Sequence, residues 1–594
     1  MQTELVTAPY TGNHTIFLSG PPGSGKTTLA VRRLRHLLDQ RIPAEQMLIL
    51  VPQRTLATPY YDALQSVDSP AGGLVTVATI GGLARRTLDL FWPLVSDEAG
   101  FSQPQHRPLF LTLETAQYYM DRIVEPFVES GAFDGIVISR ARLVSQIIDN
   151  LNKAAAVDFP PDQIAARLRA AWGGESAHKR IFDQVQAAAL AFRQACLDQN
   201  LLDWSLQIEV FRRYLLPLPE LRRYLQGGYR HLILDNTEED IPTAHDLLKV
   251  WLSLCESALV IHDTGGGYRV FLGADPQGAL SLSEHCRERV MLTKSHVTTP
   301  QVEALGAELI VPLVASSPDA GIHAATGQPG SPNAQARQTA ALQALERPQD
   351  DLRFHPQMLD WVAEKISQLT MEEGIPAGEI AVLAPFLGDA LRFSLTERLE
   401  RYNIKARTHR PSRELREEPA ARCLLTWARM AYPAWRRPPP PADVAQALLL
   451  SVDEMDPVRA SLLTGIVYRV RDGQPTLTPF HEIRRETQDR ISYVLGMRYD
   501  QLRTWLHGYV QRTNQNGGDA EQTPEALDYF LSRLFGEVLS QAGFGFHGNF
   551  DAGAVTANLI ESVQKFRHSF PSRPLTTTEP SPGESSTGLR DDDS

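Results

Sequence analysis

Eight residues, Gly20-Pro21-Pro22-Gly23-Ser24-Gly25-Lys26-Thr27, satisfy GxxxxGK[ST] directly behind the apolar run Thr15-Ile16-Phe17-Leu18-Ser19. The spacing is that of a phosphate cradle. Gly20, Gly23 and Gly25 let the backbone turn so that successive amides, Ser24 among them, face a β-phosphate. Lys26 reaches the β and γ oxygens, and Thr27 offers its hydroxyl to Mg²⁺. Thr28 opens a helix whose positive end points at the same anion. The segment implies a nucleotide site for ATP and Mg²⁺.

Such a site needs a second oxygen ligand for the metal at a strand tip, and His231-Leu232-Ile233-Leu234-Asp235 supplies it in Asp235. Position 236 is Asn, whose amide cannot accept a proton from an attacking water. Glu238 and Glu239 follow two and three residues on. That is about 7 to 10 Å further along an extended chain. They are candidate catalytic carboxylates if the loop bends back, or a solvated acidic turn with Asp240 if it does not.

The elements that must position these groups alternate. A strand precedes the glycine loop, a helix runs through Leu38, 47–51 reads as a strand, a helix follows Pro52, and 74–77 reads as a third strand. That order predicts a parallel sheet with helices on both faces. From 105 to 228 the pattern is helical, and strands resume at 231–235 and 258–263. The expected organisation is a first sheet segment at 1–104, a helical insertion at 105–228, the rest of the sheet domain at 229–285, and a partial second α/β domain at 286–430. Within the last lie a Gly/Ser/Pro/Ala-rich flexible stretch at 315–335, a strand at 380–384 and helices at 358–370 and 388–402. A helical region at 431–569 follows the polyproline run 438–441, and 570–594 has the composition of a disordered tail.

At 594 residues the chain is too long for one core. Its net charge of -12 gives no global pull toward nucleic acid, so any such contact rests on local surfaces. Cys196, Cys255, Cys286 and Cys423 lack metal-ligand spacing and read as buried thiols. No leader or membrane-length apolar run is visible, so no membrane partner is expected and the cytoplasm is the expected compartment. Arg32, Arg33, Arg35 and His36 read as a solvated helix face.

From residue 14 to about 430, the order of these segments resembles the UvrD/Rep-like superfamily 1 DNA helicases, including AddB-like and RecC-like relatives. Leu50-Val51-Pro52-Gln53-Arg54-Thr55 resembles motif Ia and Val77-Ala78-Thr79-Ile80-Gly81-Gly82-Leu83-Ala84 the "TFHSFA" segment. Leu202-Asp203-Trp204 resembles the stretch closing the 1B insertion, Asp235 to Asp240 stands where "DEFQD" would, and 262–274 is similar to motif III. The stretch 380–427, with Arg413-Glu414-Leu415-Arg416-Glu417-Glu418, is similar to domain 2A. The resemblance implies a RecA-like P-loop NTPase fold: a 1A domain interrupted by a 1B insertion, a partial 2A domain and a 2B-like helical region. It implies single-stranded DNA as partner, with Thr55, Thr79 and Arg85 as phosphate contacts and Tyr268 as either a base-stacking or a plain exposed loop aromatic.

Departures from that pattern concern the motor. Besides Asn236, no adenine-reading Gln motif precedes the glycine loop. In 292–299, His296 stands where the adenine-stacking Tyr would and Val297 where the γ-phosphate Arg would, and motifs V and VI are not found. The expected activity is therefore an ATP-binding, UvrD-like helicase-family protein acting on DNA in repair or recombination, with weak or lost hydrolysis. The alternative is a non-motor scaffold or DNA-binding subunit that partners a helicase–nuclease complex, and a P-loop kinase of small substrates is the third.

Overall fold

In the computed structural model, the described residues are 2–66, 73–134, 137–174, 179–315, 332–348, 352–407, 415–515 and 526–569. The expected tail at 570–594 and Arg413-Glu414 lie outside them, as does most of the expected flexible stretch 315–335. The margins of that stretch are helical, in Pro300–Ala315 and Pro332–Gln343.

The chain divides into two compact units, Met1–Arg347 and Pro348–Ser594. The first is built on six strands: β1 His14–Gly20, β2 Met47–Leu50, β3 Thr76–Ala78, β4 His231–Leu234, β5 Ser257–Asp263 and β6 Glu288–Met291. They form one parallel sheet in the order β3-β2-β4-β5-β1-β6. The fold is α/β and consistent with a RecA-like helicase domain. β6, with its Glu-Arg-Val-Met sequence, gave no strand signal. It exists because β1 offers it a ladder, from Ile16 opposite Glu288 to Ser19 opposite Met291.

Near-continuous apolar strands are what a parallel sheet covered on both faces requires. Alternate residues feed two cores, as the pleat dictates. Phe17, Leu48, Leu50, Leu232, Leu234 and Val260 face one, whereas Ile16, Leu18, Ile49, Ile233, Leu259 and Ile261 face the other. The second core is closed by Leu29, Ala30, Leu34 and Leu37, the inner stripe of the helix Lys26–Asp39.

The first core runs on without a break into the helical insertion. Leu83, Leu88 and Trp92 of the helix Ile80–Val95 share it with Met120, Ile147, Leu151, Phe192 and Phe211. A short parallel pair, Leu109–Phe110 with Leu201–Leu202, ties the two ends of the insertion. Asp203 then caps the helix Trp204–Val210 by accepting hydrogen bonds from the Ser205 and Leu206 amides. The Gln207 side chain donates to the Gly81 carbonyl at 2.6 Å, so the segments around Gly81 and Asp203 are joined directly.

Two expectations need correction. Arg33 is not on a solvated face: it is buried and donates to the carbonyls of Val6, Ala8 and Pro9, fastening the N-terminal segment. Residues 380–384 are not a strand among the described residues. Val382 and Leu383 are exposed there, at 48% and 93%, because no described strand lies alongside to make a ladder. The helices expected around this segment are present, at His355–Met371 and Asp389–Glu400. The other described residues of the second unit are mostly helical around Trp427, Tyr499, Tyr509 and Phe530, and include the hairpin Tyr468–Arg471 with Gln474–Leu477.

Candidate nucleotide site

The site is assembled at the C-terminal ends of β1, β4 and β5, where parallel α/β sheets place ligands. β5 stands between the strand that carries the glycine loop and the strand that ends at Asp235. The loop leaves β1 at Gly20 and enters the helix at Lys26, with Gly23 at φ +76 and Gly25 at φ +84. These left-handed conformations are why glycine is needed at both positions. A Cβ on Gly23 would lie 2.7 Å from Ser295 Oγ, because 292–298 passes over the loop and the His296 amide donates to the Gly23 carbonyl.

Lys26 is buried and folded back over the loop. Its ammonium donates to Gly20 O at 2.9 Å, Pro21 O at 2.7 Å and Ser24 Oγ at 3.1 Å, and forms an ion pair with Asp263. Thr27 Oγ1 donates to Asp235 Oδ2 at 3.0 Å across 208 positions of sequence. The two proposed metal ligands are therefore brought together. They form a small hard-oxygen donor set of the kind Mg²⁺ takes from protein, its other ligands being water and phosphate.

Asp235 is 1% exposed, and burial raises its carboxyl above the usual range against the hydrogen bonds of Tyr60, Thr27 and the Asn236 amide. Tyr60, fully buried, donates its hydroxyl to Asp235 Oδ2 at 2.7 Å. Sequence reasoning missed this residue. Tyr60 lies 175 positions from its partner and reads as an ordinary apolar face of the helix Thr58–Gln65.

The acidic turn is not solvated, which corrects that reading. Glu238 is 2% exposed; its Oε2 accepts from the Asp263 amide at 3.0 Å and its Oε1 from Asn236 Nδ2 at 3.4 Å. Burial pushes its carboxyl up to about 7. Asp240 is likewise pushed up to about 7, by burial and then by the Glu238 charge. Glu239 Oε1 accepts the amides of Gly267 at 3.1 Å and Tyr268 at 3.0 Å. Both glutamates thus hold the backbone of β5 and the loop after it. Asn236 sits at φ +56, a left-handed conformation that Asn adopts more readily than Glu.

The expected phosphate contacts are spread along the same sheet edge. Thr55 is exposed just beyond β2, and Thr79 is half-buried just beyond its neighbour β3, where its hydroxyl caps the helix Ile80–Val95 by accepting from Gly82 N at 3.1 Å. Arg85 is exposed and stacks on Phe110, its guanidinium 4.9 Å from the ring centre. Tyr268 is 76% exposed, within a run in which Val270, Phe271 and Leu272 are exposed too. Thr28 is exposed at the helix start. Val297 is 81% exposed beside Gly23 and brings no charge to the loop.

Residues 1–90 match the DEAD/DEAH box helicase family. No curated protein matches the chain significantly. No helix among the described residues is long and apolar enough to cross a membrane. The match covers the strand, glycine loop and helix described above. It supports a helicase-superfamily character and a nucleotide-dependent, helicase-like function for this sequence.

Proposed function

We propose that the chain is a UvrD-like DNA helicase-family protein that binds ATP with Mg²⁺ and single-stranded DNA, acts in repair or recombination, and hydrolyses ATP weakly or not at all. In this reading 1–104 and 229–285 form domain 1A, whose sheet β6 joins, 105–228 the 1B insertion, the remainder of 286–430 a partial 2A domain and 431–569 a 2B-like region. The observation that carries it is the convergence of Lys26, Thr27 and Asp235 at one end of a parallel sheet with β5 between their strands. Gly20, Gly23, Ser24, Gly25 and Thr28 complete the cradle, and Thr55, Thr79, Arg85 and Tyr268 line the edge where a DNA strand would lie. Weak turnover follows from Asn236, which lacks a proton-accepting carboxylate, and from Val297, which cannot neutralise γ-phosphate charge.

The test is binding of a fluorescent ATP analogue with and without single-stranded DNA. Lys26→Ala should weaken binding by tenfold or more, about 1.4 kcal/mol. Unchanged affinity in a folded variant would refute the site. DNA retention without any nucleotide binding would instead favour the scaffold of a helicase–nuclease complex.

A further inference from the structure

Asp235 makes two kinds of contact. Thr27 and Asp235 are the proposed ligands of the metal, and the Thr27 hydroxyl could offer an oxygen lone pair to an ion while its proton stays on the carboxylate. The other two contacts on the carboxylate are Tyr60 Oη on Oδ2, at 2.7 Å, and the Asn236 amide on Oδ1, at 3.0 Å. The amide is fixed by the backbone next in sequence. The Tyr60 hydroxyl comes from the helix Thr58–Gln65, which packs against the helix Lys26–Asp39 and belongs to the same buried core as Leu29, Ile49 and Ile233. A phenol held by a packed ring is a rigid donor, and it fills one of the two lone pairs on Oδ2.

We propose that Tyr60 is a positioning residue for the metal: its hydroxyl fixes the rotation of the Asp235 carboxylate relative to Thr27, and it thereby sets the Mg²⁺ affinity of the nucleotide site. The proposal rests on the nucleotide reading above. It assigns no chemistry to Tyr60 beyond its hydrogen bond, and the helix carrying it begins only three residues after Thr55, so the same side chain joins the metal carboxylate to the sheet edge where a strand contact is proposed. Removing such an outer partner of a metal ligand typically costs 10- to 100-fold in metal affinity.

The experiment is a Mg²⁺ titration of fluorescent ATP-analogue binding to the full chain, wild type against Tyr60→Phe, with thermal unfolding of both followed alongside. The ring stays and the hydroxyl goes. The expected result is a rise of tenfold or more in the Mg²⁺ concentration for half-saturation, with affinity in excess EDTA unchanged. A half-saturation point within twofold of wild type in the folded variant overturns the proposal. Should Tyr60→Phe fold poorly, the same titration on Asp235→Asn and on the double variant keeps the question open to refutation. If Tyr60 acts through Asp235, the phenylalanine adds nothing to the Mg²⁺ requirement of Asp235→Asn, and an additive effect overturns it. A wild type that binds no nucleotide at any Mg²⁺ concentration overturns the nucleotide reading itself, a result distinguishable from both.

Discussion

Lys26 and Asp263 form an ion pair across the ends of two adjacent strands, in a register that sets Gly20 of β1 opposite Asp263 of β5. Lys26 is 5% exposed and Asp263 22%, so the pair is only weakly screened. An incoming triphosphate competes with Asp263 for the same ammonium and meets its negative charge. Asp263→Asn should therefore tighten binding of an ATP analogue, by up to about tenfold or 1.4 kcal/mol. It should also lower stability by roughly 1 to 3 kcal/mol, because a buried cation loses its charged partner while keeping three neutral acceptors. Equilibrium titration and denaturant unfolding read the two effects separately. Weaker binding in the variant would mean that Asp263 helps to hold the ligand.

Stability should carry the signature of Glu238. Burial holds its carboxyl at about 7 in the folded protein, above the ordinary value of 4.5. The folded state therefore binds the proton more tightly than the unfolded state does. The contribution to stability is fully present below the unfolded value and is lost as pH rises through the folded one. Glu238→Gln keeps an oxygen to accept from the Asp263 amide but cannot titrate. Relative to the variant, the wild type should lose stability between about pH 4.5 and 7 and level off above. The difference between the two proteins is the informative quantity, because buried His262 and His245 are depressed by burial and act with the opposite sign at acid pH. A wild-type-minus-variant curve that is flat over this range would rule out a proton held at Glu238.

DNA binding should separate Arg85 from Thr79. Arg85 is exposed and its removal disturbs only a stack on Phe110, so Arg85→Ala should weaken retention of single-stranded DNA and lower the salt slope by about one phosphate's share. Thr79 caps the helix Ile80–Val95, so Thr79→Ala should cost about 1 kcal/mol of stability whether or not it touches DNA. Thr79→Ser keeps the cap and should retain most of the binding. Salt titrations of binding and melting curves on the three variants decide. Equal DNA affinity of wild type and Arg85→Ala at about 50 mM salt would remove Arg85 from the contact surface.

How much could be read from the sequence follows from how local each cause is. The glycine loop, the strands 15–19, 47–51, 231–235 and 258–263, and the helical insertion are written in short-range composition and periodicity, and the structure contains them. β6 was not legible because its charged residues carry no strand signal and its pairing with β1 arises across 272 positions. The segment 380–384 has strand composition but no neighbouring strand among the described residues, so propensity alone misled. At the site, the meeting of Thr27 with Asp235 was legible because both stand just beyond apolar strand segments in a recognisable spacing. Tyr60 was not, because a buried tyrosine looks the same in sequence whether its hydroxyl meets a carboxylate or a carbonyl. The acidic turn misled for a related reason: Glu238, buried, and Glu239, half-buried, accept hydrogen bonds from backbone amides of residues 263, 267 and 268, which no local pattern announces.

Under the proposed function, ATP turnover should be slow, and the reason is partly conformational. Asn236 follows Asp235 in a left-handed conformation at φ +56, its side chain turned to Glu238 rather than free. A glutamate there would supply the carboxylate that a water-activating base requires, but a residue with a long side chain adopts that conformation at a cost of about 1 to 2 kcal/mol. Asn236→Glu should therefore destabilise the protein and raise ATP turnover only in part, since Val297 beside Gly23 still leaves γ-phosphate charge uncompensated. Loss of one charged finger alone typically costs about 10³ to 10⁵ in rate. Phosphate release with and without single-stranded DNA, together with a strand-displacement assay, measures the outcome. The expected result is turnover near background for the wild type, a small rise for Asn236→Glu, and no unwinding from either. ATP-dependent strand displacement by the wild-type chain, abolished by Lys26→Ala, would mean that Glu238 or Glu239 fills the missing catalytic role and that the proposal of weak or lost hydrolysis is wrong.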